Sequence, residues 1–276
     1  MKTRVISGAV LVVLLVLTLI SGGYVTAGVL LFVSIVGYRE LTSALAVKAA
    51  DEKTNLPEII GLLAVCIHYI LLIIKGADMA IFLAVIMGLF VAESIVFVFS
   101  YPKYKANQMI GSVFSFIYAP MMLSFIYLLR SFPTGKYLAW LPFIAWICDT
   151  FAYFTGRALG KHKLCPVLSP KKTIEGAIGG IAGSVLAGVI YGYVYASYAD
   201  TNLPVSTSIA TFAVITFVAG ALSQVGDLIA SGIKRDQGIK DYGNLIPGHG
   251  GIMDRFDSVI FITPVIYFLA KIMSNM

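Results

Sequence analysis

Residues 78–100 read DMAIFLAVIMGLFVAESIVFVFS, an apolar run with one ionisable side chain, Glu93, in its interior. As an α-helix, about 20 such residues cross the roughly 30 Å hydrocarbon core of a bilayer. The run therefore reads as a transmembrane helix. Comparable runs recur on both sides of it, at 5–20, 24–38, 57–74, 109–129, 137–155, 176–198, 206–230 and 256–273, which predicts nine spans in all. The second is short for a span, and Ser21-Gly22-Gly23 before it permits either a tight hairpin or a re-entrant segment. Of 276 residues, 59% are hydrophobic and 12% charged, and the mean hydropathy is +0.90. That composition excludes a soluble globule. The expected fold class is an all-α polytopic membrane protein, one integral unit with N-terminal helices over 1–136 and C-terminal helices over 137–276 that carry the chemistry.

Orientation follows from the basic residues. With the N-terminus cytoplasmic, only Lys75, Arg130, Lys136 and Lys271 of the 20 lysines and arginines fall outside, the asymmetry that the positive-inside rule demands. The formal charge of +6 is thus a topology signal and no footprint for nucleic acid. Met1 to Arg4 before an apolar run also resembles a secretory signal, whose removal would leave the downstream orientation unchanged. Cys66, Cys148 and Cys165 make no even framework and indicate neither a disulfide nor a zinc site.

An acidic residue at a bilayer centre costs roughly 2.5 to 3.5 kcal/mol on insertion scales, so acids in or near spans call for a reason. They are Glu93, Asp149, Glu175, Asp227, Asp254 and Asp257. The last four fall at the cytoplasmic ends of the final three spans, facing the compartment that holds nucleotides. Asp227, Ser231 and Lys234 are spaced i, i+4, i+7 and share one helical stripe, and Asp254 and Asp257 share a face at i, i+3. Two converging carboxylate-bearing helix ends would supply oxygen ligands suited to Mg²⁺. The alternative is pairing with lysine and arginine at the membrane surface.

Between those helix ends runs Lys240 to Gly251, rich in residues that allow unusual backbone angles. Such a loop can turn amide N–H groups toward an anion, and it leads into a helix N-terminus that also favours phosphate. Lys234, Arg235, Lys240 and Arg255 flank it. His249 is either a phosphate contact or proton donor, or a loop histidine with a structural hydrogen bond. In the segment 156–175, Ser169 and Pro170 read as the cap and first position of a helix. Lys171 and Lys172 would then oppose the helix dipole unless an anion sits there. Gly176, Gly179, Gly180, Gly183, Ser184, Gly188 and Gly192 have the spacing of close helix packing.

Read as one string, Ser231 to Asp257 is SGIKRDQGIKDYGNLIPGHGGIMDRFD. This resembles the signature of the phosphatidate cytidylyltransferase family, with SPKKTIEG at 169–176 and DTFAY at 149–153 as supporting similarities. The resemblance implies a multi-pass enzyme of the cell membrane with a polar cavity open to the cytoplasm, which joins CTP to phosphatidic acid to give CDP-diacylglycerol and pyrophosphate. It implies a homodimer and a Mg²⁺-dependent site whose metal acids are Asp227 and Asp254, and it admits K⁺ as a second cation. The catalytic set expected is Asp227, Asp254, Lys234, Arg235, Lys240 and Arg255. Substrate contacts are expected from Ser169, Lys171, Lys172, Ser231, Asp241, His249, Gly250, Gly251, Asp257 and Asp149. The chemistry needs no protein nucleophile, because a phosphomonoester with a second pKa of about 6 is already nucleophilic near neutrality. Two rivals differ in kind. An ion-coupled transporter should show interrupted spans in two corresponding halves, which the sequence lacks. A CTP-dependent polyprenol kinase would share the nucleotide and an acidic membrane site. A Walker A loop is absent.

Overall fold

In the computed structural model, residues 2–48, 52–199 and 203–274 are described, with the side chains of 2–5 and 274 excepted. Lys2 and Arg4, counted above for orientation, therefore have side chains outside the described set. The helices are α1 (Lys2–Ser21), α2 (Gly23–Ala44), α3 (Leu56–Lys75), α4 (Met79–Phe99), α5 (Ala106–Phe116), α6 (Met122–Arg130), α7 (Gly135–Leu138), α8 (Ile144–Leu159), α9 (Ile174–Tyr198), α10 (Val205–Asp236) and α11 (Met253–Ser274). All nine expected spans fall on helices. Among the described residues eight helical stretches are long and apolar enough to cross a membrane, and the apolar part of α1, Ile6–Ser21, is shorter.

Local chemistry sets the boundaries. Gly22 and Gly23 have φ of 64° and 49°, a left-handed pair open to glycine that turns α1 into α2 as a tight hairpin. The second span is longer than the sequence indicated, because α2 continues to Ala44. The side chain of Asn55 caps α3 at Glu58 N, and that of Asp78 caps α4 at Ala80 N. Pro120 has no N–H to give, and a π-helical turn over Ile117–Met121 joins α5 to α6 around it.

Contacts divide the chain into two compact units, Met1–Leu128 with Asp236–Arg255, and Leu129–Arg235 with Phe256–Met276. The first unit has a buried polar network in its core. Ser112 Oγ donates to Glu93 Oε1 at 2.6 Å, and Ser112 and Tyr38 hydroxyls lie 2.8 Å apart. His68, also buried, meets Ser124 Oγ at 2.9 Å. Glu93 thus belongs to a packed interior.

The second unit is held together by glycine. Along α9, a Cβ on Gly180 would come within 2.9 Å of Cys148 O, and one on Gly192 within 2.7 Å of Ile209 Cα. The small-residue spacing read from the sequence lets α8 and α10 approach α9 at backbone distance. One element departs from the all-helical expectation. β1 (Lys163–Cys165) and β2 (Ser169–Thr173) form an antiparallel hairpin, so Ser169 and Pro170 do not start a helix. Thr173 takes that part, its Oγ1 accepting from Gly176 N at 3.1 Å. Lys171 and Lys172 consequently lie on a strand, and the dipole argument for an anion there falls away.

Candidate active site

In the second unit α8, the hairpin, α9 and α10 enclose a cavity of about 350 Å³. Asp149, Ala152, Tyr153, Gly156 and Arg157 line it from α8, a spacing that puts them on one helical stripe. Lys171, Lys172 and Thr173 line it from β2, Gly176 and Ala177 from α9, Gln224 and Asp227 from α10. The walls close tightly, since a Cβ on Gly176 would stand 2.8 Å from Ala152 O.

Charge is arranged around Asp227. Its Oδ2 lies 2.5 Å from Lys172 Nζ, and Ser231 Oγ donates to its Oδ1 at 3.3 Å, so the i, i+4 pair read from the sequence is realised on α10. Lys172 Nζ is out of solvent and, apart from that ion pair, finds no hydrogen-bond acceptor among the described residues. Asp257, buried on α11, is near enough to Asp227, Lys234 and Asp149 to feel their charges, and Asp149 Oδ2 accepts from Ser258 Oγ at 3.4 Å. Gln224 Nε2 donates to Ala177 O at 3.0 Å, fixing α10 against α9 at the cavity floor. At the hairpin's base Glu175 accepts from Lys161 N at 3.0 Å and meets His162 Nδ1 at 2.6 Å. Glu175 therefore ties the chain leading into β1 to the first turn of α9.

In the first unit, the segment before α11 is folded around two buried carboxylates. Asp254 Oδ2 accepts from Tyr242 N at 2.8 Å and Gly251 N at 3.0 Å. Glu40 accepts from Ile252 N at 3.0 Å and Met253 N at 2.8 Å. The loop amides do turn toward anions, as the sequence implied, but those anions are the protein's own side chains. Gly250 has φ of 85°, and a Cβ there would sit 2.8 Å from Asp254 Oδ2; a Cβ on Gly251 would collide with Glu40. His249 lies 2.9 Å through Nδ1 from Ser7 Oγ of α1, a structural hydrogen bond.

The structure thus brings Asp149, Lys171, Lys172 and Asp227 to one cavity and ties Ser231 to it through Asp227. Ser169 stands in the same hairpin, half-buried, and Arg235, Lys240, Asp241 and Arg255 are exposed. Three residues have no role in the sequence analysis. Arg157 reads there as a basic flank, although its spacing of eight from Asp149 is legible, and Tyr153 enters only within the DTFAY similarity. Gln224 gives no signal inside its span. Glu40 lies beyond the expected end of the second span at 38 and reads as loop. Among the described residues, no cluster of three or more His, Cys, Asp or Glu could hold a metal by itself.

A model of the Cytidylyltransferase family matches residues 2–273. A phosphatidate cytidylyltransferase of Staphylococcus epidermidis is 31% identical over 278 aligned positions, covering 98% of each chain. The protein of that name from Staphylococcus haemolyticus is 40% identical over 148 residues, 53% of this chain and 54% of its own. The Staphylococcus aureus protein of that name is 41% identical over 133 residues, 48% of each. A match that runs nearly end to end assigns the chain: it belongs to the Cytidylyltransferase family.

Proposed function

We propose that this protein transfers CMP from CTP to phosphatidate, yielding CDP-diacylglycerol and pyrophosphate. The observation that carries the reading is similarity over the whole chain to a protein named for that activity, on a sequence whose Ser231–Asp257 string resembles that family's signature. The cavity chemistry supports it. Lys172 holds an ammonium out of water beside Asp227, an arrangement that a phosphate would complete.

The donor set fits a divalent cation bound together with substrate. Mg²⁺ needs only one or two carboxylates when phosphates and water fill the rest of its shell, and Asp227 already carries a positive group on Oδ2. Asp227 would hold it in the cavity, Asp254 being the second acid that the family resemblance names, and when bound it would neutralise charge on the phosphate oxygens. Everything else falls to the chain. A phosphatidate oxygen attacks the α-phosphorus of CTP in line, the bond from that phosphorus to the bridging oxygen breaks, and the electron pair leaves with pyrophosphate. Lys234, Arg235, Lys240 and Arg255 hold phosphate oxygens, while Ser169, Lys171, Ser231, Asp241, His249, Gly250, Gly251, Asp257 and Asp149 position the substrates or the residues that touch them. Lys172 exchanges its carboxylate partner for a phosphate oxygen as substrate arrives, so no ammonium is left unpaired at any stage. The cavity opens to the cytoplasm, where CTP is, and the protein is a homodimer.

Purified protein in mixed micelles with phosphatidate, CTP and Mg²⁺ tests this, with CDP-diacylglycerol read by mass spectrometry. Asp227→Asn is expected to lose at least about a hundredfold in kcat, since neutralisation at a phosphoryl centre is worth several kcal/mol. Near-wild-type turnover of that variant at saturating Mg²⁺ would remove Asp227 from the site.

A further inference from the structure

We propose that Arg157 and Lys171 form the subsite that receives the phosphomonoester of the lipid substrate, distinct from the groups that hold the nucleotide. The proposal rests on the reading above and assigns one substrate to one wall of the cavity. Both residues line it, and both lack a carboxylate partner among the described residues. Their neighbours are already engaged: Lys172 pairs with Asp227, and Lys163 Nζ donates to Pro170 O at 2.7 Å. Among the described residues the Arg157 guanidinium has one hydrogen bond, Nη1 to Tyr153 Oη at 3.4 Å, one turn back along α8. Two uncompensated cations at one opening attract an anion.

The surroundings identify the anion as part of a lipid. Tyr153 and Phe154, one turn before Arg157, are 59% and 64% exposed, and Ile178 on α9 is 63% exposed. An aromatic pair followed by a cation is the pattern of a helix leaving the hydrocarbon at headgroup level, where the arginine stem lies along apolar surface and its head reaches polar groups. A triphosphate arriving from water has no need of apolar flanks. A phosphate esterified to diacylglycerol needs both at once, its head in the cavity and its chains still in the bilayer. A guanidinium also grips a phosphomonoester in bidentate fashion, which a lone ammonium does not.

Steady-state kinetics on the full-length protein in mixed micelles separate the two substrates. Phosphatidate mole fraction is varied at saturating CTP, then CTP at saturating phosphatidate. Arg157→Gln is expected to raise the surface KM for phosphatidate roughly tenfold, about 1.4 kcal/mol, and Lys171→Gln severalfold, with the KM for CTP within about twofold of wild type. Arg157→Lys should recover part of the loss. A rise in the CTP KM with the phosphatidate KM unchanged, or a fall in kcat with neither KM moved, overturns the assignment.

A second readout needs no turnover: binding of dihexanoyl phosphatidate against dihexanoyl phosphatidylcholine, without CTP. Wild type is expected to prefer phosphatidate, and Arg157→Gln to lose the preference. If wild type makes no CDP-diacylglycerol yet shows that pattern, the subsite stands and the activity falls. If wild type turns over but the variant keeps both its preference and its phosphatidate KM, the subsite falls and the activity stands.

Discussion

Glu40 and Asp254 set two buried carboxylates against four backbone N–H groups, at Tyr242, Gly251, Ile252 and Met253. A buried charge is costly unless hydrogen bonds satisfy it, and a buried amide left without an acceptor costs about 1 to 3 kcal/mol. Glu40 therefore caps α11 from another helix and fixes the segment from which Asp254 projects. Glu40→Ala strands two amides and should lower the unfolding temperature in detergent by several degrees, with Glu40→Gln intermediate because its amide has a single acceptor oxygen. An alanine variant as stable as wild type would contradict this capping role. The sequence hid Glu40 behind Arg39. Adjacent helical residues point about 100° apart, so Arg39 is exposed while Glu40 is buried, and a pair of charges at the end of an apolar run reads as loop. Asp227 and Ser231 were easier to see, because helical spacing alone puts them on one stripe and the structure joins them.

At the scale of elements, α9 packs against its neighbours at backbone distance. A Cβ on Gly188 would collide with Thr216 Oγ1 and stand 2.8 Å from Phe212 O, whereas one on Gly28 in α2 would meet nothing within 4 Å. Gly188→Ala should destabilise by about 1 to 3 kcal/mol, the usual cost of overpacking, and Gly28→Ala should be neutral or slightly stabilising through helix propensity. Thermal unfolding of both variants in one detergent checks the contrast, and equal midpoints would contradict it. The glycine spacing was legible because it repeats along one helix from Gly176 to Gly192, more than four turns at about 3.6 residues each. The hairpin was not. Its strands are three and five residues long, too short for alternation to register, and Ser-Pro followed by lysines reads as the start of a helix. What decides is tertiary: Glu175 and Thr173 fix the chain at the first turn of α9, leaving 163–173 to pair with itself.

For the whole molecule, apolar run length put every expected span on a helix, and eight helical stretches among the described residues meet the minimum that hydrocarbon thickness sets. Side of the membrane is a separate matter that rests on the basic residues. In a background with Cys66, Cys148 and Cys165 replaced, Val167→Cys in the hairpin and Asn244→Cys in the loop should react with an impermeant thiol reagent only from the cytoplasmic side. Both positions are exposed, Val167 at 91%. Labelling from outside intact cells would reverse the topology and remove direct access to CTP. The central claim is the reaction itself, and the fate of each phosphate of CTP tests it most directly. Purified protein is given phosphatidate, Mg²⁺ and CTP labelled at either the α or the γ position, with phosphatidate omitted as the control for hydrolysis. Attack at the α-phosphorus puts α-label into lipid as CDP-diacylglycerol and γ-label into soluble pyrophosphate. Recovery of γ-label in lipid with release of CDP would contradict the account and make the protein a kinase.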